Sequence, residues 1–256
     1  MKKGKTIIRQ LAAASLAAGL LFTMSSFNRD QNGYMEVRTA FDKMNDAVTG
    51  GNVFHINYSV KAVLNEKDKD NKNIVNSSEI EMYTTSSNSW ILSKEAKIYK
   101  DNSNTITVLP DKKLIFFSDG APAKKDEYIY AKLKQIQDTI FSNSKVVEAT
   151  DVQGMPWNKK VRVVPNDKIS HLLEMKTITY YLNTNDNSLK RVYVEYLPDK
   201  QFVTLDYLFT GIDYNCSKIN MKQPAINMVY SGKKLKSEFE DFKVIDNRKK
   251  SLTAKH

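Results

Sequence analysis

Between Phe54 and Leu64 the chain changes side-chain character with a period of two. Phe54, Ile56, Tyr58, Val60, Ala62 and Leu64 are apolar or aromatic, and His55, Asn57, Ser59 and Lys61 stand between them. Successive side chains of a strand point to opposite faces, so this run predicts one long strand with a single apolar face. A helix of the same sequence would scatter its apolar positions around the axis. Such a strand needs partners along its edges and a cover over its apolar face. The rest of the chain must supply both.

Partners are plentiful. Shorter alternating or β-rich runs occur at 79–84, 89–93, 96–100, 105–109, 113–118, 145–153, 160–164, 176–182, 189–197 and 202–209, with a last short run at 242–245. Turn chemistry separates several of them: Asp101-Asn102-Ser103-Asn104, Pro110-Asp111-Lys112, the stretch from Asn183 to Ser188, and Pro198-Asp199-Lys200. Strands joined by so few residues pair antiparallel, because a parallel pair needs a long crossover. The polar run 65–78 (NEKDKDNKNIVNSS) reads as a connection. Two covers are predicted. Val37, Phe41, Met44 and Val48 lie on one face of a helix over 34–51 that ends at Gly50-Gly51. Ile129, Leu133, Ile136 and Ile140 repeat that spacing in a helix over 126–141. The expected architecture is α+β: a large curved antiparallel β-sheet, an unclosed half-barrel of ten to eleven strands, with helices packed on its concave face. No Pro/Gly/Ser-rich linker divides it, so 27–247 reads as one domain. Two similar halves meeting near residue 145 are the alternative.

The formal charge is +10 over 256 residues, which invites a polyanionic partner. Its distribution does not support one. Lys2, Lys3, Lys5 and Arg9 precede an uncharged run from Leu11 to Met24 and the small residues Ser25 and Ser26, the pattern of an export signal over 1–26. As a helix that uncharged run spans about 21 Å. This is short of the hydrocarbon core of about 30 Å, so an integral membrane protein is not expected, an uncleaved anchor helix being the alternative. Arg248, Lys249, Lys250 and Lys255 form a basic tail at 248–256. Without these eight cations the body carries +2, a mixed solvated surface that argues against nucleic acid. The expected location is therefore periplasmic. A single Cys, Cys216, excludes a disulfide scaffold and a Cys-clustered zinc site.

Catalytic patterns are missing. There is no glycine-rich phosphate loop, no G-x-S-x-G and no H-E-x-x-H, and the three histidines are His55, His171 and His256. Asp68 and Asp70 lack the glycine and terminal glutamate of a calcium loop. Glu79 and Glu81 share one strand face, the spacing of a solvated pair. No catalytic residue, metal or cofactor is expected. What remains is apolar surface on the alternating faces: Phe54, Ile56, Tyr58, Val60, Met82, Trp90, Ile98, Phe116, Ile136, Ile178, Tyr180, Tyr193, Tyr207 and Phe209. On periodicity alone an ordinary packed core is the first reading of these residues. An incompletely filled cavity between sheet and helices, suited to acyl chains, is the second.

Several segments carry a resemblance. AKIYKDNSNTITVLPDKKLIFFSD (96–119) and ITYYLNTNDNSLKRVYVEYLPDKQFVTLDYLF (178–209) follow an N-terminal helix and a long alternating strand in an exported chain. This resembles the LolA/LolB-like superfamily of periplasmic lipoprotein carriers, over most of 34–210. The resemblance implies an unclosed barrel lidded by helices, with lipid or lipoprotein acyl chains held non-covalently between them. In the family an arginine near the start of the barrel helps hold the lid closed. Here His55 and Lys61 are the basic residues of the first strand, so that role has no counterpart. The competing expectation is a structural or protein-interaction component of a cell-envelope assembly, without lipid transfer. A hydrolase with dispersed carboxylates is the third.

Overall fold

A computed structural model describes residues 33–120, 140, 142–153 and 156–248. The expected export signal, the end of the expected basic tail and most of the helix expected over 126–141, Ile136 included, lie outside these residues. Twelve strands form one unclosed sheet. In chain order they are β1 (Phe54–Lys67), β2 (Asn73–Thr84), β3 (Ser89–Leu92), β4 (Lys97–Lys100), β5 (Asn104–Leu109), β6 (Leu114–Asp119), β7 (Ser144–Asp151), β8 (Lys159–Pro165), β9 (Met175–Asn183), β10 (Ser188–Tyr196) and β11 (Phe202–Asp213), with β14 (Lys243–Asp246) at the far edge. A separate two-stranded hairpin pairs β12 (Tyr230–Ser231) with β13 (Lys234–Leu235). Across the sheet the order is β14-β6-β5-β4-β3-β2-β1-β11-β10-β9-β8-β7. The long first strand is thus central, between β2 and β11. All neighbours are antiparallel except β14, which lies parallel to β6. That exception obeys the rule that predicted the rest: β14 arrives only after a long excursion from β11, enough chain for a parallel crossover.

Helix α1 (Tyr34–Thr49) buries Tyr34, Val37, Ala40, Phe41, Met44, Ala47 and Val48 against the sheet. Fully burying a side chain of the size of Phe41 or Met44 contributes about 1.5–3 kcal/mol, so this stripe, more than helix propensity, holds α1 in place. The Tyr34 hydroxyl donates to the Ser144 carbonyl at 3.0 Å and the Phe41 ring meets Tyr180 edge-on at 6.0 Å, placing the helix over β7 to β10. A short helix, α2 (Asp167–Leu173), has no periodic signature long enough to predict it. It is started by Asn166, whose side chain accepts from the Ile169 N–H at 3.0 Å. His171 therefore sits on a helix.

The polar run 65–78 is mostly strand. β1 continues to Lys67 and β2 resumes at Asn73, so the connection shrinks to 68–72. One Asp68 oxygen accepts from the N–H groups of Asp70 and Lys72, and Asn71 takes φ 59°. The pair projects as a ribbon beyond the core, where polar residues on both faces hide the period of two.

The two halves of the sheet are covered on opposite faces. One core lies under α1 and α2 on β1, β2 and β8 to β11 and includes Phe54, Ile56, Tyr58, Met82, Ile178, Val194 and Tyr207. The other contains Tyr83, Trp90, Tyr99, Ile106 and Phe117 with Cys216, Met221, Ala225, Val229 and Phe239. Met82 and Tyr83 are consecutive in β2 yet belong to different cores, so the cores lie on opposite sides. After β11 the chain rounds the start of β1, where the Cys216 N–H donates to the Val53 carbonyl at 2.8 Å. It then straps the far face of β3 to β6. The Ala225 N–H bonds Asp101 Oδ2 at 2.6 Å and the Lys243 N–H bonds the Lys113 carbonyl at 2.8 Å, pinning the strap.

Candidate functional site

Nine of the residues predicted to line a cavity converge on the α1 face. Phe54, Ile56, Tyr58, Val60, Met82, Ile178, Tyr180, Tyr207 and Phe209 all belong to the first core, and each is 6 % exposed or less. Strand register explains the convergence. Tyr58 pairs with Ile80 on one side and Phe209 on the other, while Val60 pairs with Tyr207 and Ile56 with Met82. Directly paired residues share a face, so the period of two in β1 propagates to both neighbours.

Other predicted residues depart from that group. Trp90 lies on the opposite face, in the second core, with Tyr83 and Tyr99 edge-on at 6.3 and 6.1 Å. It pairs with Tyr83, and its neighbour Ile91 pairs with Met82, so the register puts Ile91 on the α1 face instead. Ile98 and Phe116 do lie on the α1 side but are only half-buried. Together they continue a cross-strand row, Met82–Ile91–Ile98–Thr107–Phe116–Ile245, in which the residues beyond Met82 are all half-buried. Tyr193 also lies off the α1 face: it follows the buried Val192 and stands beside Arg191. Val203, grouped by period with Leu205, Tyr207 and Phe209, is 38 % exposed.

The α1 face holds one polar anomaly. The hydroxyls of Tyr58 and Tyr207 are buried with no hydrogen-bond partner among the described residues. Leaving such a group unpaired costs about 1–3 kcal/mol, and phenylalanine would fill the same volume without it. Burial drives both phenols well above the usual tyrosine range. The Tyr207 phenol is raised further by Tyr196 and then by Tyr58, so both of these phenols lie near it. Tyr196 is half-buried at the margin, its ring against Phe202 at 5.6 Å. Tyr214 is a third buried hydroxyl without a partner among the described residues, but it lies elsewhere, beside Phe54 and under Lys43 Nζ at 4.3 Å.

Sequence reasoning missed two polar constellations on the opposite face. His55 Nε2 lies 3.1 Å from Glu81 Oε1, the Tyr83 hydroxyl donates to the same oxygen at 2.6 Å, and the His55 and Tyr83 rings stack at 4.3 Å. Asn57, Ser59, Glu79, Glu81, Leu208 and Thr210 border an adjoining cleft of about 490 Å³. The trio locks β1 to β2, and the buried thiol of Cys216 is no accessible nucleophile for it. Farther along, the Arg191 guanidinium makes a bidentate pair with Asp206 at 2.7 and 2.8 Å and lies over Tyr181 and Tyr193. Cross-strand register is the only signal for either, and it follows from pairing rather than from local pattern. Among the described residues no group of three or more His, Cys, Asp or Glu is placed to hold a metal ion. Nor, among them, is any helix long and apolar enough to cross a membrane.

No protein-family model matches the chain, and no curated protein matches it in sequence. Solved structures with a similar chain path include an uncharacterized conserved protein from Thermus thermophilus. It has 8 % identity and a TM-score of 0.43, with 84 % of this chain and 99 % of that one covered. The MucA/MucB complex of Pseudomonas aeruginosa contains another, at 12 % identity and a TM-score of 0.38, covering 75 % of this chain and 62 % of that one. A LolA superfamily protein from Nitrosomonas europaea has 5 % identity and a TM-score of 0.28, covering 69 % of this chain and 92 % of that one.

Proposed function

We propose that the chain is an exported, periplasmic binding protein of the carrier type. It takes up an apolar ligand, a lipid or the acyl chains of a lipoprotein, without covalent chemistry, on the α1 face of its sheet. The observation that carries this reading is the mostly apolar row that runs from Met82 inside the core outward through Ile91, Ile98, Thr107, Phe116 and Ile245, all half-buried. Burying apolar surface of this kind is worth about 25 cal/mol per Å², and an acyl chain needs area and few polar contacts. Residues 1–26 act as the export signal, 27–247 as one domain and 248–256 as a basic tail. No residue is assigned a catalytic role. In the test, delipidated chain is titrated with a fluorescent acyl probe, and lipid co-purifying with untreated chain is identified by mass spectrometry. Saturable binding supports the reading; absence of both signals overturns it.

A second reading, an interaction component of an envelope assembly, is favoured by the other face. There the Trp157 ring, just before β8, tilts against Tyr181 of β9, Arg191 of β10 lies over Tyr181 and Tyr193, and Leu208 is 38 % exposed. Rings and guanidinium groups of this kind recur where proteins dock. Recovery of one stoichiometric protein partner from lipid-free chain distinguishes this reading from the first.

A further inference from the structure

Tyr58 and Tyr207 have a consequence beyond the packing of the core. They stand on adjacent strands, β1 and β11, and on the same face. Tyr58 is paired with Phe209 and Tyr207 with Val60, so the two tyrosines are diagonal neighbours across the strand pair. Each is 2 % exposed, and each hydroxyl is buried with no partner among the described residues. In a core serving only stability, phenylalanine at either position keeps the volume and removes the orphaned group. Two hydroxyls kept at this expense are donors waiting for an acceptor that the described chain does not provide. Two O–H donors on one face, the Tyr58 phenol near enough to raise that of Tyr207, suit one oxygen with two lone pairs.

We propose that Tyr58 and Tyr207 hydrogen-bond the carbonyl oxygen of a bound neutral acyl ester or amide. This rests on the reading of the α1 face as an acyl-ligand site and names the chemical class of that ligand. The acceptor is taken as neutral because, among the described residues, no buried side chain is ionic. The buried polar side chains among the described residues are Thr84, Thr177, Thr179 and Ser188, and none is ionic. Bringing an ionised carboxylate into such a field without a cation is costly, whereas a carbonyl needs only donors. Tyr196, next in the line of phenol heads, is half-buried and packs on Phe202 at the margin of the core. Tyr58, Tyr207 and Tyr196 thus stand on the adjacent strands β1, β11 and β10 and pass from buried to half-buried, and the ligand's polar end lies toward Tyr196 while its chains lie on the apolar face.

The test compares three polyene probes on delipidated wild-type chain and on Tyr58→Phe, Tyr207→Phe and the double variant. Diphenylhexatriene has no oxygen, cis-parinaric acid is ionised at pH 8, and its methyl ester carries a neutral carbonyl. The wild type is expected to bind the ester more tightly than the acid. The double variant is expected to lose about tenfold in affinity for the ester, as for one or two lost hydrogen bonds, with its affinity for diphenylhexatriene within about twofold of wild type. Melting temperatures at or above the wild-type value show that the variants are folded. A double variant that binds the ester as well as wild type does, or a wild type that prefers the acid, overturns the carbonyl assignment and leaves the acyl-site reading standing. A wild type that binds none of the three probes overturns the acyl-site reading itself, and the assignment with it.

Discussion

Tyr207 differs from phenylalanine by one oxygen, and in the ligand-free chain that oxygen is a burden. Tyr207→Phe is therefore expected to raise the stability of delipidated protein by about 1 kcal/mol, read as a higher urea midpoint at unchanged slope. A second residue-scale effect belongs to Glu148. Lys160 Nζ donates to its two carboxylate oxygens at 2.8 and 3.0 Å, and this bond holds the Glu148 carboxyl below its ordinary value of 4.5. A lowered folded-state pKa means that the unfolded chain binds the proton more readily. The stabilisation is thus present above about pH 4.5 and fades as the pH falls through the lowered value. The pair is partly exposed, so it is screened. Glu148→Gln is expected to cost about 0.5 kcal/mol at pH 7 and nothing at pH 2, measured as paired thermal melts. Residue types at such positions are legible in a sequence. Their partners are not, because Glu148 and Lys160 meet only through the register of β7 on β8.

At the scale of elements, the approach of α1 to the sheet depends on the residue before it. Gly33 has φ 93°, and a Cβ there would stand 2.9 Å from the Ala149 Cβ and 3.0 Å from a Val161 methyl. Gly33→Ala is expected to lower stability by about 1–3 kcal/mol, through strain in the left-handed region and overpacking between β7 and β8, and a fall in melting temperature checks it. The apolar stripe of α1 is readable because it repeats over four turns. Helix α2 is not, since seven residues hold too little periodicity and its signal is the single cap Asn166. The ribbon of β1 and β2 misleads for the opposite reason. Beyond the core both of its faces are solvated, so composition looks like a loop while backbone pairing continues to Lys67 and Asn73.

For the whole molecule the deciding feature is that its two cores lie on opposite faces of one sheet. Trp90 illustrates the outcome. By type and alternation it belongs with Tyr58 and Phe54 on a cavity wall, yet it is buried beneath the C-terminal strap. Trp90→Phe is expected to reduce stability by about 1–3 kcal/mol and to leave binding of an apolar probe on the α1 face within about twofold of wild type. Probe affinity that falls in step with the substitution would place Trp90 back at the site. Alternation and short polar turns determined, without any structure, that the chain forms an antiparallel sheet with an apolar face along β1, and that α1 presents a stripe to cover it. These are local properties, set by geometry over a few residues. Which face each strand buries beyond β2 was decided only by tertiary structure. Strands β3 to β6 carry apolar residues on both sides, and the choice depends on where the strap that follows β11 runs. That strap meets Val53, Asp101 and Lys113 from far along the chain, so no local pattern encodes the contact. Distance in the chain likewise kept Tyr58 and Tyr207 apart in the sequence. The pairing of β1 with β11 made them neighbours, and burial without a partner among the described residues gave their hydroxyls a meaning that residue type alone does not carry.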